Sequence, residues 1–177
     1  MNLRAATAGR MLAVLFSACS IWASASFAGT PAGMPSLAGS WTLVAADVQH
    51  PDGTRASDFG AHPKGLLLID GQGRYSLQIF KSERSAFRSP DKSKGTPEEF
   101  AAAVMGSSTH FGTISVDRDR GLLVFHIQGA SFPNWEGQDQ ARQYELKDNV
   151  LSYRVPPRPN GDVPISVWRR IDPMQSK

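Results

Sequence analysis

The histidine and carboxylate side chains of this 177-residue sequence are its most obvious candidates for chemistry on a small molecule. The four histidines are His50, His62, His110 and His126, and none is spaced i, i+2 or i, i+4 from another, so the sequence contains no compact zinc motif. If the fold brings His62 and His110 to Glu136, the three could form a facial metal site or an acid–base pair. The simpler interpretation is a set of hydrogen-bonded histidines, and we expect neither a metal nor another cofactor.

A second candidate is segment 131–137, where large aromatic residues lie among polar ones in a stretch without strand periodicity. The residues with binding chemistry are Ser131, Phe132, Asn134, Trp135 and Glu136. Aromatic walls with a few fixed polar groups are typical of ligand sites. The segment could equally fold Phe132 and Trp135 inward as a hydrophobic cap.

Tyrosines on separate predicted strands could add contacts or simply fill a core. The predicted ligand contacts are His62, Tyr75, His110, Ser131, Phe132, Asn134, Trp135 and Tyr144, and the catalytic candidates are His110, His126 and Glu136. The sequence has no Gly-x-Ser-x-Gly elbow, no phosphate-binding loop and no dinucleotide fingerprint. These absences remove the commonest hydrolase and nucleotide-binding classes.

The N-terminus has the pattern of a secretory signal peptide. Arg4 and Arg10 precede an apolar run over 11–22, and small residues follow up to Ala25 and Ala28. We predict a signal peptide over 1–28 with cleavage after Ala25 or Ala28, which places the protein in the periplasm or outside the cell. An uncleaved anchor is the alternative, although the run is short for a membrane span.

What remains after cleavage is a nearly neutral chain. Cys19 is the only cysteine and lies in the signal segment, so the mature protein would have no disulfide; a lipid anchor on Cys19 is a minor alternative. Loss of Arg4 and Arg10 reduces the formal charge from +3 to +1. Without a long basic run we expect no nucleic acid partner, and we expect no stable membrane span in the mature chain.

Short apolar or alternating segments separated by turn residues predict eight β-strands. The predicted strands are 37–48, 65–69, 74–80, 109–116, 122–128, 140–146, 150–155 and 163–171. One short helix is predicted between strands three and four, because Thr96, Pro97 and Glu99 form a capping box and Gly106 ends the pattern. Phe100 and Val104 share a helix face and should pack on the barrel.

Eight short strands with one helix predict an all-β fold, an eight-stranded antiparallel up-and-down barrel. The domains are then a signal peptide (1–28), a linker (29–36), the barrel (37–172) and a C-terminal tail (173–177). Long connections alternate with tight turns along the chain, so all long loops should gather at one end, the mouth. The tight turns should form the opposite end, the floor.

The floor should be closed by the first and last strands. Gly39 and Trp41 begin strand one, and Arg169 and Arg170 end strand eight at the same level. A guanidinium over the indole would contribute roughly 0.5–2 kcal/mol by cation–π attraction. We predict these residues as the structural floor of the barrel.

Several short segments of the sequence resemble segments of a known protein family. Gly39-Ser40-Trp41 with an arginine on the last strand resembles the lipocalin and wider calycin signature, and segments 62–66, 73–80, 110–113 and 131–137 resemble the bacterial and fungal lipocalin-like domain family. The likeness spans nearly the whole mature chain and implies a calycin-like barrel. Unlike true lipocalins, the chain has its helix within the barrel sequence.

Three functions fit these observations. The first is an exported barrel that binds a small hydrophobic or amphipathic molecule at its mouth, with the basic segment 81–94 attracting an anionic head group. The second is a barrel enzyme, isomerase- or cyclase-like, that acts on a hydrophobic substrate. The third is a structural envelope protein whose barrel is filled by side chains. A cavity would separate the first two from the third.

Overall fold

The structure is a computed structural model that describes residues 36–171. The predicted signal peptide with its cleavage sites, Cys19, nearly all of the predicted linker and the predicted tail lie outside these residues. Among the described residues, no helix is long and apolar enough to cross a bilayer.

The described chain forms a closed antiparallel barrel. The strands are β1 (Gly39–Gln49), β2 (Arg55–Ala56), β3 (Lys64–Ile69), β4 (Arg74–Phe80), β5 (Ser107–Asp117), β6 (Leu122–Ala130), β7 (Asp139–Lys147), β8 (Val150–Arg154) and β9 (Val163–Ile171). Each long strand pairs with the next one along the chain, and β9 returns to pair with β1. The predicted eight-stranded barrel is therefore confirmed, and closure leaves no open sheet edge among its eight strands.

The helix lies between the two segments predicted as strands 74–80 and 109–116, but its number in the strand order differs from the prediction because of one extra short strand. The α-helix α1 (Pro97–Met105) lies between the fourth and fifth strands, β4 and β5, and not between strands three and four. The difference arises because β2 was not predicted: it has two residues, which is too short for any periodic pattern, and it pairs only with the end of β1. Two 3-10 helices, Lys92–Lys94 and Pro133–Trp135, lie in the long connections.

The strand directions gather the long connections at one end. The tight turns 70–73, 118–121 and 148–149 all lie at the end where β1 begins, and the longer segments and α1 lie at the other end. In the last of these turns, Asp148 and Asn149 both have positive φ, as a two-residue hairpin requires. The mouth and the floor therefore occupy the ends that the loop lengths predicted.

Large apolar side chains fill the floor half of the barrel. The fully buried ones include Trp41, Leu67, Leu123, Leu151 and Trp168. They alternate along their strands with outward-facing residues, as β-structure requires. This packing closes the floor and leaves any ligand space to the mouth half.

Trp41 and Arg170 form the closure of the floor. The guanidinium carbon of Arg170 lies 4.1 Å from the centre of the Trp41 ring, and the indole Nε1 donates a hydrogen bond to the Leu37 carbonyl at 3.0 Å. Arg170 also donates to the Ala38 carbonyl at 2.6 Å. Gly39 has a φ of +142°, and a Cβ there would lie 2.6 Å from Arg170 Nη1. Glycine at position 39 therefore lets the arginine cross the chain and reach the indole.

Helix α1 begins and ends where the sequence predicted, but its apolar face is placed differently. Glu99 Oε2 accepts from the Thr96 amide at 2.8 Å, and Thr96 Oγ1 accepts from the Glu99 amide at 3.3 Å, so the capping box is formed. Val104 remains 53% exposed, and Phe100 packs against Phe87 of the preceding loop. The predicted burial of this face on the barrel is wrong, because the helix lies along the mouth.

Candidate functional site

A cavity of about 860 Å³ occupies the mouth half of the barrel. Its inner wall comes from inward-facing strand residues, and its outer rim comes from α1 and the long connections. The lining includes Ala46, Phe59, Leu77, Ile79, Val104, Met105, Ser108, His110, Ser131, Phe132, Trp135, Gln140, Arg142, Tyr153, Arg158, Ile165 and Ser166. The barrel is therefore not filled throughout, contrary to the third hypothesis.

The rim of the cavity is apolar and solvent-exposed. Met105 is 72% exposed and Phe132 is 45% exposed, and both line the cavity together with Val104. Phe132 contacts Trp135 edge-on, with ring centres 5.5 Å apart. Trp135 is half-buried and packs against the core, so it joins the rim to the barrel interior. Phe132 therefore lies exposed at the edge of the cavity, whereas Trp135 packs inward.

A cluster of hydrogen-bonded polar side chains lies at the inner end of the cavity, below Trp135. His110 is buried, and its Nδ1 lies 2.7 Å from the Tyr75 hydroxyl. On the other side of the imidazole, Arg142 Nη2 lies 3.4 Å from His110 Nε2. Arg142 Nη2 also donates to Gln140 Oε1 at 2.8 Å. His110 thus links a tyrosine on β4 to an arginine on β7.

The contacts of His110 fix its protonation state. A guanidinium has only donors, so His110 Nε2 must accept, and the ring hydrogen belongs on Nδ1, where it points at Tyr75. Burial, and secondly the positive charge of Arg142, lower the pKa of His110 to about 3. His110 is therefore a neutral imidazole at neutral pH. Burial also raises the pKa of Tyr75, which keeps that hydroxyl protonated.

Arg142 is held among neutral groups. It is 5% exposed, and its guanidinium lies over the rings of Phe125 and Tyr153 at 4.0 and 5.0 Å. Burial lowers the pKa of Arg142, although a guanidinium keeps its proton in proteins. Burial likewise raises the pKa of Tyr153. The result is a positive charge inside the barrel, stabilised by aromatic faces and an amide.

The structure separates the predicted ligand contacts into two sets. His110, Ser131, Phe132 and Trp135 line the cavity. The remaining four lie elsewhere: His62 and Asn134 are exposed in the long connections, whereas Tyr75 is buried and Tyr144 packs against the core beneath the cavity. Both tyrosines pack in the interior of the barrel, but neither lines the cavity.

The catalytic candidates are not brought together. His126 lies on the outer face of β6, where its Nε2 is 2.9 Å from Ser115 Oγ and its Nδ1 is 2.7 Å from Asp139 Oδ1. Ser115 and Asp139 are exposed and His126 is half-buried on this outer face, and His126 does not line the cavity. Glu136 Oε1 accepts from the Ala130 amide at 3.2 Å and stabilises its own loop. Only His110 among the three candidates faces the cavity.

The facial metal site considered from the sequence is not formed. Within residues 36–171, no three His, Cys, Asp or Glu side chains are close enough to hold a metal ion. His62 in particular is exposed on a connection, with its backbone amide bonded to Ser82 Oγ at 2.8 Å.

Sequence reasoning missed the most unusual residue of the cavity, Arg142, and its neighbour Gln140. Both lie on β7 at an even number of residues from Tyr144, so they share its inward-facing side of the strand. This alternation was the only signal that the sequence offered for them. That signal is weak because the opposite face of β7 is also polar, with Asp139 and Gln143 exposed. Alternation alone therefore could not tell which face of β7 is buried.

Comparison with known proteins identifies the fold family. Residues 38–171, which include all nine strands, match the family model described as the lipocalin-like domain. No curated protein matches the chain.

Proposed function

Because the chain belongs to the lipocalin-like domain family, we propose that it is an exported protein that binds one small apolar or amphipathic molecule inside its barrel. The observation that carries the proposal is the cavity of about 860 Å³ that opens at the mouth. Sites for small ligands span about 300–1,000 Å³ and combine apolar walls with a few fixed polar groups. The aromatic rim and the polar inner end have this composition.

Binding is favoured over acid–base turnover by the state of His110. A general base works best when its pKa is near the operating pH. The pKa of His110 is lowered to about 3, so its imidazole is a very weak base inside the barrel. Neither of the other candidates, His126 and Glu136, lines the cavity. The cavity thus has recognition chemistry, and its one histidine is poorly suited to proton transfer.

The N-terminal sequence supports the part of the proposal that concerns export. The sequence up to Ala28 has the charge, apolar run and small residues of a signal peptide. An exported binding protein would meet its ligand in the periplasm or outside the cell, where a sparingly soluble molecule needs a carrier. The exposed apolar side chains Met105 and Phe132 at the rim would be the first to contact such a molecule.

Filling the cavity tests the proposal. Ser108 lines the cavity and lies on the inward face of β5, two residues before His110, so Ser108→Trp should occupy ligand space. Ser152→Trp is the matched control, because Ser152 is half-buried on β8 and does not line the cavity. Titration with the neutral dye Nile red should show saturable binding to wild type and to Ser152→Trp. Ser108→Trp should bind more than about tenfold more weakly.

Thermal melts of the three proteins make the comparison specific. Each protein should show a cooperative transition, so that lost binding reflects a filled cavity and not a lost fold. Equal dye affinity in all three folded proteins would overturn the proposed function, because binding would then not involve the barrel interior.

A further inference from the structure

Arg142 is the one charged side chain that the structure buries among the described residues. It lies on β7 and lines the inner end of the cavity, 5% exposed. A buried charge is costly unless it is paired with an opposite charge or fully hydrogen-bonded. The buried guanidinium of Arg142 therefore needs an opposite charge or a full set of hydrogen bonds.

No carboxylate of residues 36–171 lies within ion-pair distance of Arg142. Its hydrogen-bonding neighbours are Gln140 and His110, and both are neutral. Arg158, which lines the same cavity at its mouth, provides the contrast because it pairs with Asp58. The inner arginine thus lacks the partner that the outer arginine has.

The buried polar groups at and around Arg142 include hydrogen-bond donors that have no acceptor. Arg142 Nε, the Tyr153 hydroxyl and Trp168 Nε1 are all buried without a hydrogen-bond partner in the described structure. Arg142 and Trp168 both neighbour the Tyr153 hydroxyl, but no pair among the three has the distance and angle of a hydrogen bond. Arg142 Nε and Trp168 Nε1 can only donate, so each of them lacks an acceptor.

From this we propose that the barrel takes its ligand head-first, with a singly charged oxyanion, a carboxylate above all, bound by Arg142 at the inner end of the cavity. The inference rests on the proposed function and specifies its ligand as an amphipathic acid. The apolar remainder of the molecule would lie along Leu77, Ile79 and Trp135 toward the rim, since these residues line the cavity.

A single charge fits the site better than a phosphate dianion. Arg142 is the only buried cation among the described residues, and the neutral imidazole of His110 adds no second positive charge. A planar carboxylate can accept two parallel hydrogen bonds from one guanidinium. The other positive groups of the mouth, such as Lys81 and Arg158, are solvent-accessible or already paired and would act on a head group only by long-range attraction.

The test compares two amphiphiles of equal chain length and different head groups. Dodecanoate and dodecanol should compete with Nile red for wild-type protein at pH 8, where the acid is ionised. We expect dodecanoate to bind at least about tenfold more tightly than dodecanol, because a charge-assisted hydrogen bond is formed only by the acid. Equal affinities would overturn the head-group inference and leave the proposed function standing. Competition by neither compound would overturn both.

Variants then test which arginine causes the preference for dodecanoate over dodecanol. Arg142→Met should abolish the preference for dodecanoate while dodecanol affinity stays within about threefold of wild type. Arg158→Met is the matched control and should keep the preference. Loss of the preference in Arg158→Met but not in Arg142→Met would place the head group at the mouth and overturn the inference.

The stability of Arg142→Met provides a second readout. If Arg142 is an unpaired charge in the ligand-free protein, its replacement by an apolar side chain should not lower the melting temperature of that protein and could raise it. Dodecanoate should raise the melting temperature of wild type more than that of the variant. If Arg142→Met does not fold, the wild-type comparison of acid and alcohol still decides the inference.

Discussion

Arg142 Nη2 lies 3.4 Å from His110 Nε2 in the interior of the barrel. Because a guanidinium can only donate, this contact requires a neutral imidazole that accepts at Nε2. Protonation of His110 would place two positive charges side by side away from water. The lowered pKa of His110, about 3, follows from burial first and from this neighbour second.

Acid should therefore destabilise the protein through His110. In the unfolded chain this histidine binds a proton below about pH 6.5, whereas in the folded protein it does so only below about pH 3. Between these values the unfolded state binds more protons, so the free energy of unfolding falls as the pH decreases, by up to ~1.4 kcal/mol per pH unit. Urea denaturation at several pH values should show a shallower dependence for His110→Gln. Parallel curves for His110→Gln and wild type would contradict a buried neutral His110.

The floor closure predicts a large loss of stability for Trp41→Ala. The indole is fully buried, bonds to the Leu37 carbonyl and lies under Arg170. Removing a buried aromatic side chain costs on the order of 3–5 kcal/mol. Urea denaturation should show this loss, while dye affinity of the folded variant should be close to wild type because the floor is remote from the cavity. An unchanged denaturation midpoint would show that Trp41 does not close the barrel.

Trp135 should matter more for binding than for stability. Its ring lies between the rim and His110, at 6.1 Å from the imidazole centre, and it is only half-buried. Trp135→Ala should weaken Nile red binding by about 1–3 kcal/mol, the scale of a well-packed apolar contact. It should cost less stability than Trp41→Ala. If dye affinity is unchanged and the melting temperature drops sharply, Trp135 is a core residue and its assignment to the rim is wrong.

Chelation should leave the protein unaltered. The histidines show no compact ligand spacing, and no group of metal-ligand side chains forms within residues 36–171. EDTA treatment should change neither the melting temperature nor dye affinity. Stoichiometric zinc or iron in the purified protein, lost in His110→Ala, would refute this prediction and favour an enzyme.

The mature protein should begin near Ser26 or Gly29. Cleavage after Ala25 or Ala28 follows from the small residues at the end of the apolar run. N-terminal sequencing of protein from the periplasm or the medium would establish the site. Intact Met1 protein in the cytoplasm would contradict export, and a lipid on Cys19 would support the alternative of an anchored form.

Local sequence signals predicted most of the fold. The alternation in Arg74–Phe80 gave β4 with its observed bounds, and the capping residues Thr96 and Glu99 placed the start of α1 correctly. These elements were accessible because their determinants lie within a few residues of one another. Contact of Trp41 with Arg169 or Arg170 was predicted across the whole chain, because barrel closure must bring the first and last strands together. Arg170 makes this contact, whereas Arg169 is exposed.

The inner end of the cavity was not predicted, for a physical reason. Arg142 is polar and lies on a strand with polar residues on both faces, so burial could not be inferred from its pattern. Its burial is set by partners on three other strands, His110, Phe125 and Tyr153, and by the space above them. Likewise, the exposure of Val104 depends on where α1 lies at the mouth and not on its helical spacing.

Mass spectrometry of small molecules released from the protein purified from its own source tests the binding proposal most directly. Wild type and Ser152→Trp should release the same amphipathic compound in near-stoichiometric amount, and Ser108→Trp should release little or none, because its indole occupies the cavity. Equal recovery from all three folded proteins, or no bound compound together with no saturable dye binding by wild type, would contradict a ligand site inside the barrel.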